Sequence, residues 1–186
     1  KKLILPYLDD NYETLLTATE DCDLIISHIL TFVSPIVAEK KGIPWVSVIL
    51  QPSTFISAFD PPAFAFAVNM PKLKFLGPAF FNLLFKLFAS FSNHWFKPVH
   101  ELRKNIGLPK SSYNPLMKSF SPFGNLALFP EEFAAPQKDW PVNTFQPGFP
   151  LFADTDKPLS GKVSEFLNKG EAPIVFTLGT AVVQMK

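Results

Sequence analysis

The chain has 186 residues, 47% of them hydrophobic, and its 17 Lys and Arg against 16 Asp and Glu leave a net charge of +1. That length holds one ordinary domain with a sizeable core, or one domain and part of another, and a balanced charge without a basic cluster gives no support to a phosphate-backbone partner. The single cysteine, Cys22, excludes an internal disulfide and fits a reducing compartment, while His28, His94 and His100 show no ligand spacing with it or with one another, so no metal constellation is expected.

The unusual totals are 21 phenylalanines and 19 prolines. Aromatics are densest from Phe55 to Phe96, where Asp60, Pro61, Pro62, Lys72 and Lys74 interrupt them; those interruptions argue against a transmembrane helix. The opening, Lys1 and Lys2 followed by Pro6, Asp9 and Asp10, does not read as a secretory signal, and there is no initiator methionine.

In chain order, Asp10 to Thr19 suits a short amphipathic helix with Tyr12, Leu15, Leu16 and Ala18 on one side. Leu24 to Ile26 is a continuous apolar run, the pattern of a strand buried on both faces of a parallel sheet, with His28 at its carboxyl end. The following helix starts at Ser34 as N-cap with Pro35 at its first position, or one turn earlier at Thr31. It ends at Lys40, Lys41 and Gly42, with Val33, Ile36 and Val37 inward and Glu39, Lys40 and Lys41 outward. Trp45 to Leu50 is a second strand. A parallel pair joined by a helix crosses over right-handed and binds ligands beyond its carboxyl ends, which puts Ser27, His28, Gln51, Pro52 and Ser53 on one rim.

Prolines 52, 61, 62 and 71 make the next stretch a loop across that rim, a common place for a pocket wall. Gly77 and Pro78 open a helix predicted to run to Phe96. Its polar stripe is narrow (Asn82, Lys86, Ala89 or Ser90, Asn93, Lys97), so it is expected to be largely covered by protein core; a greasy acceptor cavity and a membrane surface are the sharper readings, the second weakened by the few basic residues on the stripe. Pro98 starts another helix, with Val99, Leu102 and Ile106 on one side, Glu101, Arg103 and Lys104 on the other, and Gly107 and Pro109 as its stop. A polar loop over 110–124 leads to two short strands, Asn125 to Phe129 and Asn143 to Phe149. The segment from Leu151 to Leu159 has linker composition. Ser160 then caps a short helix with Val163, Phe166 and Leu167 inward, closed by Gly170, before an apolar strand from Ile174 to Leu178 that ends at Gly179 and Thr180. Six residues follow Thr180, too few to give that strand neighbours, so it either joins the first sheet or belongs to a longer protein.

The segments DLIISHILTFVSPIVAEKKGIPWVSV, SAFDPP, the helices ending NIGLP, APQKDWPVNTFQPGFP and PIVFTLGT, in this order along nearly the whole chain, resemble the bacterial and sterol-type UDP-glycosyltransferases of the two-domain GT-B architecture. The resemblance implies an α/β fold, a Rossmann-like parallel sheet flanked by helices, truncated at both ends. Residues 1–150 would be a partial amino-terminal acceptor-binding domain, 151–159 the linker, and 160–186 the start of the nucleotide-sugar domain. It further implies an inverting hexosyltransferase that moves a sugar from UDP or a similar nucleotide to an apolar alcohol such as a sterol, polyketide or lipid-like alcohol, with the nucleotide sugar as co-substrate and no metal or other cofactor.

By the same resemblance the base, a histidine, lies upstream of Lys1, and the chain alone is expected to be inactive. The aspartate that orients that base in many plant relatives aligns on His28, so the dyad does not carry over. His28 is left to line the acceptor pocket, to hydrogen-bond the acceptor or to be a rim histidine. Gln51, Ser53, Phe55 and the aromatic loop to Phe66 are the acceptor-side candidates, and Gly179 and Thr180 match the turn that meets the donor, where glycine lets backbone approach a ligand and a hydroxyl suits a phosphate or ribose oxygen. A cytoplasmic protein with no nucleic-acid partner completes the expectation, with peripheral membrane contact ranked last among the readings. The alternative is a non-catalytic α/β domain that binds a hydrophobic ligand or partner through the same aromatic surface.

Overall fold

The computed structural model describes residues 5–64, 67–111, 114–117, 119–151 and 158–176. The chain divides into two compact units, Lys1–Pro150 and Leu151–Lys186. The first is a four-stranded parallel sheet with helices: α1 (Leu8–Ala18), β1 (Ile25–His28), α2 (Ser34–Lys41), β2 (Trp45–Ile49), α3 (Gly77–Ser92), α4 (Lys97–Asn105), β3 (Asn125–Ala127) and β4 (Thr144–Phe145), in strand order β1-β2-β3-β4. This is the α/β, Rossmann-like arrangement that the apolar strands and the α2 crossover call for. β3 and β4 are shorter than the sequence suggests, because Pro130 and Pro147 follow closely and cannot donate to a ladder.

One face of the sheet is packed by α1, α2 and α4. Ile25 and Trp45 meet Leu8, Tyr12, Ile36, Val37, Val99 and Leu102 there in one cluster. Ile36 and Val37 are fully buried, each contributing roughly 1.5–3 kcal/mol over an exposed position. Gly42 stops α2 in the left-handed region at φ 70°, its neighbourhood tied by the Ile43 amide donating to the Ala38 carbonyl. Ser34 opens α2 but its hydroxyl makes no cap, so the expected N-cap bond is corrected: Val33 holds the cap position and Pro35 carries the first turn.

The register sets two rows across all four strands. Ser27, Ser47, Asn125 and Thr144 share the packed face; His28, Val48, Leu126 and Phe145 share the other. The polar row is held by hydrogen bonds. Ser121 donates its amide to Ser47 Oγ at 2.9 Å and its hydroxyl to the Trp45 carbonyl, Ser47 Oγ donates to the Ser119 carbonyl at 3.2 Å, and Asn125 Nδ2 donates to Asn143 Oδ1 at 2.9 Å. The second face is open at its two edges, with Ile26 59% and Phe145 63% exposed, while His28, Val48 and Leu126 are half-buried. β1 was expected to be buried on both faces, and this is corrected: it is an edge strand covered on one face only.

Three further expectations are corrected. The helix from Gly77 ends at Ser92, and Asn93–Phe96 continue as a 3-10 turn into α4. Arg103 does not point outward. It is 5% exposed, donates to both carboxylate oxygens of Glu39 at 2.6 and 2.9 Å and to the Pro109 carbonyl at 3.1 Å, and so locks α4 to α2 and to its own stop. α3 is not largely covered. Phe81, Phe85 and Ser92 are buried, but Leu83, Leu87 and Phe91 are 59%, 61% and 64% exposed.

Within the second unit, α5 (Gly161–Asn168) follows Ser160 at the cap position without a side-chain cap bond. Val163, Phe166 and Leu167, expected inward, are exposed. Ile174, Val175 and Phe176 are exposed and form no strand, which corrects the strand expected there as far as it is described; Thr177 to Thr180 lie outside the described residues. Of the linker, only Leu151, Pro158 and Leu159 are described.

The Arg103 lock is asymmetric, since losing Glu39 leaves a buried guanidinium short of acceptors while half-exposed Glu39 can turn to water. Glu39→Gln is expected to lower unfolding free energy by about 1–2 kcal/mol and Arg103→Ala by about 3 kcal/mol in urea titrations; equal stability of both variants and the parent would contradict the lock. A second test uses pH. Burial, with Glu13 beside it, pushes the Tyr12 phenol above its ordinary value. A group whose folded pKa is raised contributes stability below its unfolded pKa and loses it as pH rises through the folded value, so stability should fall above about pH 10. Tyr12→Phe should flatten that fall.

Candidate functional site

The carboxyl edge of the sheet gathers the loops after β1, β2, β3 and β4. The β2 loop turns at once through a 3-10 turn, Pro52–Phe55, because Pro52 fixes the first position. Its last residue, Phe55, is buried and sandwiched between Trp140 (centroids 4.0 Å, 15° apart) and Phe120 (5.3 Å, 19°), with Phe129 edge-on to both Phe55 and Trp140. This aromatic stack with Ile49 and Ala127 is the floor under the rim.

Directly after it, Ile56 takes φ 49°, a left-handed conformation that costs a β-branched residue of order 1–2 kcal/mol. Such a residue persists only where its surroundings over-determine it. Here they do. Asp139 accepts the Ser57 hydroxyl at 2.6 Å and the Ala58 amide at 2.6 Å, and Ser57 Oγ in turn accepts the amides of Phe59 and Asp60 at 3.1 and 3.2 Å. On the other side Ile56 packs beside Ala58, Phe81 and Phe85. The Ser-Ala-Phe-Asp-Pro-Pro loop is thereby strapped to the Lys-Asp-Trp-Pro segment through one carboxylate.

Between the strapped segments lies a cavity of about 90 Å³ lined by Pro52, Ser53, Ser57, Asp60, Gln137 and Trp140. It is well below the few hundred Å³ of a drug-sized pocket and fits a polar group or a ligand's end. The Ser53 hydroxyl, the Asp60 carboxylate and the Gln137 amide supply donors and acceptors next to an indole, whereas the Ser57 hydroxyl is committed to Asp139 and to the amides of Phe59 and Asp60.

Among the sequence candidates, Ser53 lines this cavity and Gln51 is exposed just before the turn. Phe55 sits in the floor, held by Trp140 and Phe120 rather than presented to solvent. His28 is half-buried at the end of β1, in the strand beside β2; its Nδ1 accepts the Leu30 amide at 3.3 Å, which leaves Nε2 to carry the proton of the neutral ring. Ser27 shares the packed face, and its hydroxyl is buried with no partner. Phe66, Gly179 and Thr180 lie outside the described residues.

Sequence reasoning missed Ser57, Asp139, Gln137 and Trp140. Serine before an acidic Asp-Pro-Pro turn and the Asp-Trp pair were quoted only as fragments of a resemblance; nothing in their spacing of 82 residues announces that Ser57 and Asp139 meet. A second cavity, of about 530 Å³, was missed too. It opens beside α4, lined among others by Lys97, His100, Lys104, Leu108 and Lys110, and His100 Nε2 lies 3.3 Å from Asn93 Oδ1. The signal for it was present as Lys97, His100 and Lys104 on one helical face. No group of three or more His, Cys, Asp or Glu able to hold a metal occurs among the described residues.

The Asp139 strap should be visible in proteolysis. Asp139→Ala is expected to cost about 2–3 kcal/mol and to raise trypsin cleavage at Lys72 and Lys74, in the 3-10 turn Met70–Leu76 that the Lys74–Asp60 ion pair ties to the restrained loop, under conditions where the rest of the fold stays intact; an unchanged cleavage rate would contradict the strap. Compared with known proteins, the sequence matches no family profile and no curated protein.

Proposed function

We propose that the chain carries the acceptor side of a sugar transfer, in which an apolar alcohol attacks the anomeric carbon of a UDP or similar nucleotide sugar. The new bond is acceptor oxygen to carbon. The bond that breaks links that carbon to the diphosphate, which leaves with the electron pair, and a base takes the acceptor's proton. The observation that carries the reading is the strap itself. Ser57–Pro62 and Gln137–Trp140, two of the segments on which the resemblance to UDP-glycosyltransferases rests, meet at the carboxyl edge of a parallel sheet, where such folds take their ligands.

In this reading Ser53 meets the acceptor's hydroxyl end, Ser57 and Asp139 hold the loop that shapes the pocket, the Trp140 indole walls it, and His28 and Gln51 bound it from the loops after β1 and β2. Gly179 and Thr180 serve the donor. No described residue is assigned as the base. A second reading, a non-catalytic module for an apolar ligand or partner, is favoured by the open sheet face around Ile26 and Phe145.

Binding of a hydroxysteroid and its deoxy analogue, followed by tryptophan emission with Trp140→Phe as the assignment control, separates the two. The transferase reading expects the hydroxysteroid to bind at least about tenfold more tightly, because a site built to pair a hydroxyl rejects the molecule without one, and expects Ser53→Ala to erase most of that difference. Equal affinity for both compounds would favour the second reading, and binding of neither would overturn both.

A further inference from the structure

The helical run from Met70 to Asn105 is long and apolar enough, by length and composition, to cross a membrane. The fold uses only one side of it. Phe81 and Phe85 are buried in a cluster with Ala58, with Met117 packed against it, and Asn114 Nδ2 donates to the Ala89 carbonyl at 3.2 Å and to Ser92 Oγ at 3.3 Å. The run is also cut by its prolines into a 3-10 turn (Met70–Leu76), α3, a second 3-10 turn (Asn93–Phe96) and α4. A helix fixed to protein along one side lies on a bilayer rather than through it.

Its outer side is an apolar line. Leu76, Phe80, Leu83, Leu87 and Phe91 follow one another at spacings of four, three, four and four residues, which keeps them on one face, and all five are exposed. Phe75, in the turn before, is 79% exposed. A patch of this kind needs a cover.

Charge says which cover. Of the seven Lys and Arg between Pro61 and Lys110, Arg103 is buried against Glu39 and Lys74 pairs with Asp60 at 3.0 Å, which leaves Lys72, Lys86, Lys97, Lys104 and Lys110 against a single acidic residue in that stretch, Glu101. Lys72, Lys86 and Lys97 are exposed at the start, middle and end of the run, and α3 itself contains no acid. A second copy would set these lysines against each other, whereas anionic headgroups would neutralise them, with the lysine stems reaching past the apolar line to the headgroup level.

We infer that the Met70–Phe96 face docks on an anionic lipid surface, with the Leu76–Phe91 line immersed in the acyl boundary and Lys72, Lys86 and Lys97 at the headgroups. This assignment is independent of the acceptor reading, and either can fail alone.

The test is flotation of the whole chain with vesicles of phosphatidylcholine, and with vesicles of phosphatidylcholine and phosphatidylglycerol in about equal parts. The expected result is binding to the anionic vesicles, weakened by added salt. Leu83→Ser with Leu87→Ser should lower partitioning at least tenfold, and each of Lys72→Glu and Lys86→Glu about fivefold or more. All four positions are exposed, so the variants should fold; should any not, the salt dependence and lipid selectivity of the parent chain still decide. No binding to either vesicle, equal binding to both, or binding unaffected by the leucine changes in folded protein would overturn the inference. So would self-association in sedimentation that Leu83→Ser and Leu87→Ser abolish without any vesicle binding.

Discussion

A buried polar row fixes the sheet, and everything at its rim depends on that row. Ser47, Asn125 and Asn143, with Ser121 reaching in from the preceding loop, bind β2, β3 and β4 to one another on the packed face. Side chains alternate across a strand, so a slip of one residue would exchange this row for His28, Val48, Leu126 and Phe145, bury an imidazole and break the bonds of Ser47 and Asn125. Apolar packing tolerates small shifts, but the bonded set of Ser47, Ser121, Asn125 and Asn143, each donating to a fixed acceptor, does not. The polar row therefore specifies the register, and the register sets where the loops after β2 and β3 leave the sheet.

The rim follows from that placement. With β2 and β3 in register, the Pro52–Phe55 turn lands beside Phe129 and under Trp140, and the aromatic stack closes. Only then can Asp139 reach Ser57 and Ala58 and hold Ile56 in its unfavourable conformation. The order of dependence runs from buried serines and asparagines, through an aromatic floor, to a strapped loop with a small polar cavity. Strain at Ile56 is local to the one loop that the Asp139 carboxylate straps.

The elements most legible in the sequence were those whose signals are local. The β1-α2-β2 unit could be read from apolar runs, a proline at the first helical turn and Gly42 as the stop. What escaped was non-local. Arg103 was expected to face outward because it is charged, but its position four residues after Val99 places it beside the apolar face, where Glu39, 64 residues away, pairs it. α3 looked like a core helix because its composition is apolar nearly all round, but composition cannot say which sides find partners, and Asn114 and Ala58 cover just one. At the site, strand ends located the rim and therefore Ser53 and His28, whereas Asp139 and Trp140 come from a proline-rich segment with no periodicity to read. Phe55 shows the reverse error: an aromatic at the rim looked like a ligand contact, and its neighbours Trp140 and Phe120 turned it into floor.

In the proposed function the strapped rim receives the hydroxyl end of an apolar molecule. Amide hydrogen exchange with and without a hydroxysteroid measures this residue by residue. The expected result is added protection in Ser53–Asp60 and Gln137–Trp140, with the amino edge of the sheet around Ser121 and Asn125 unchanged. Protection confined to other segments, or none under saturating ligand, would contradict the account.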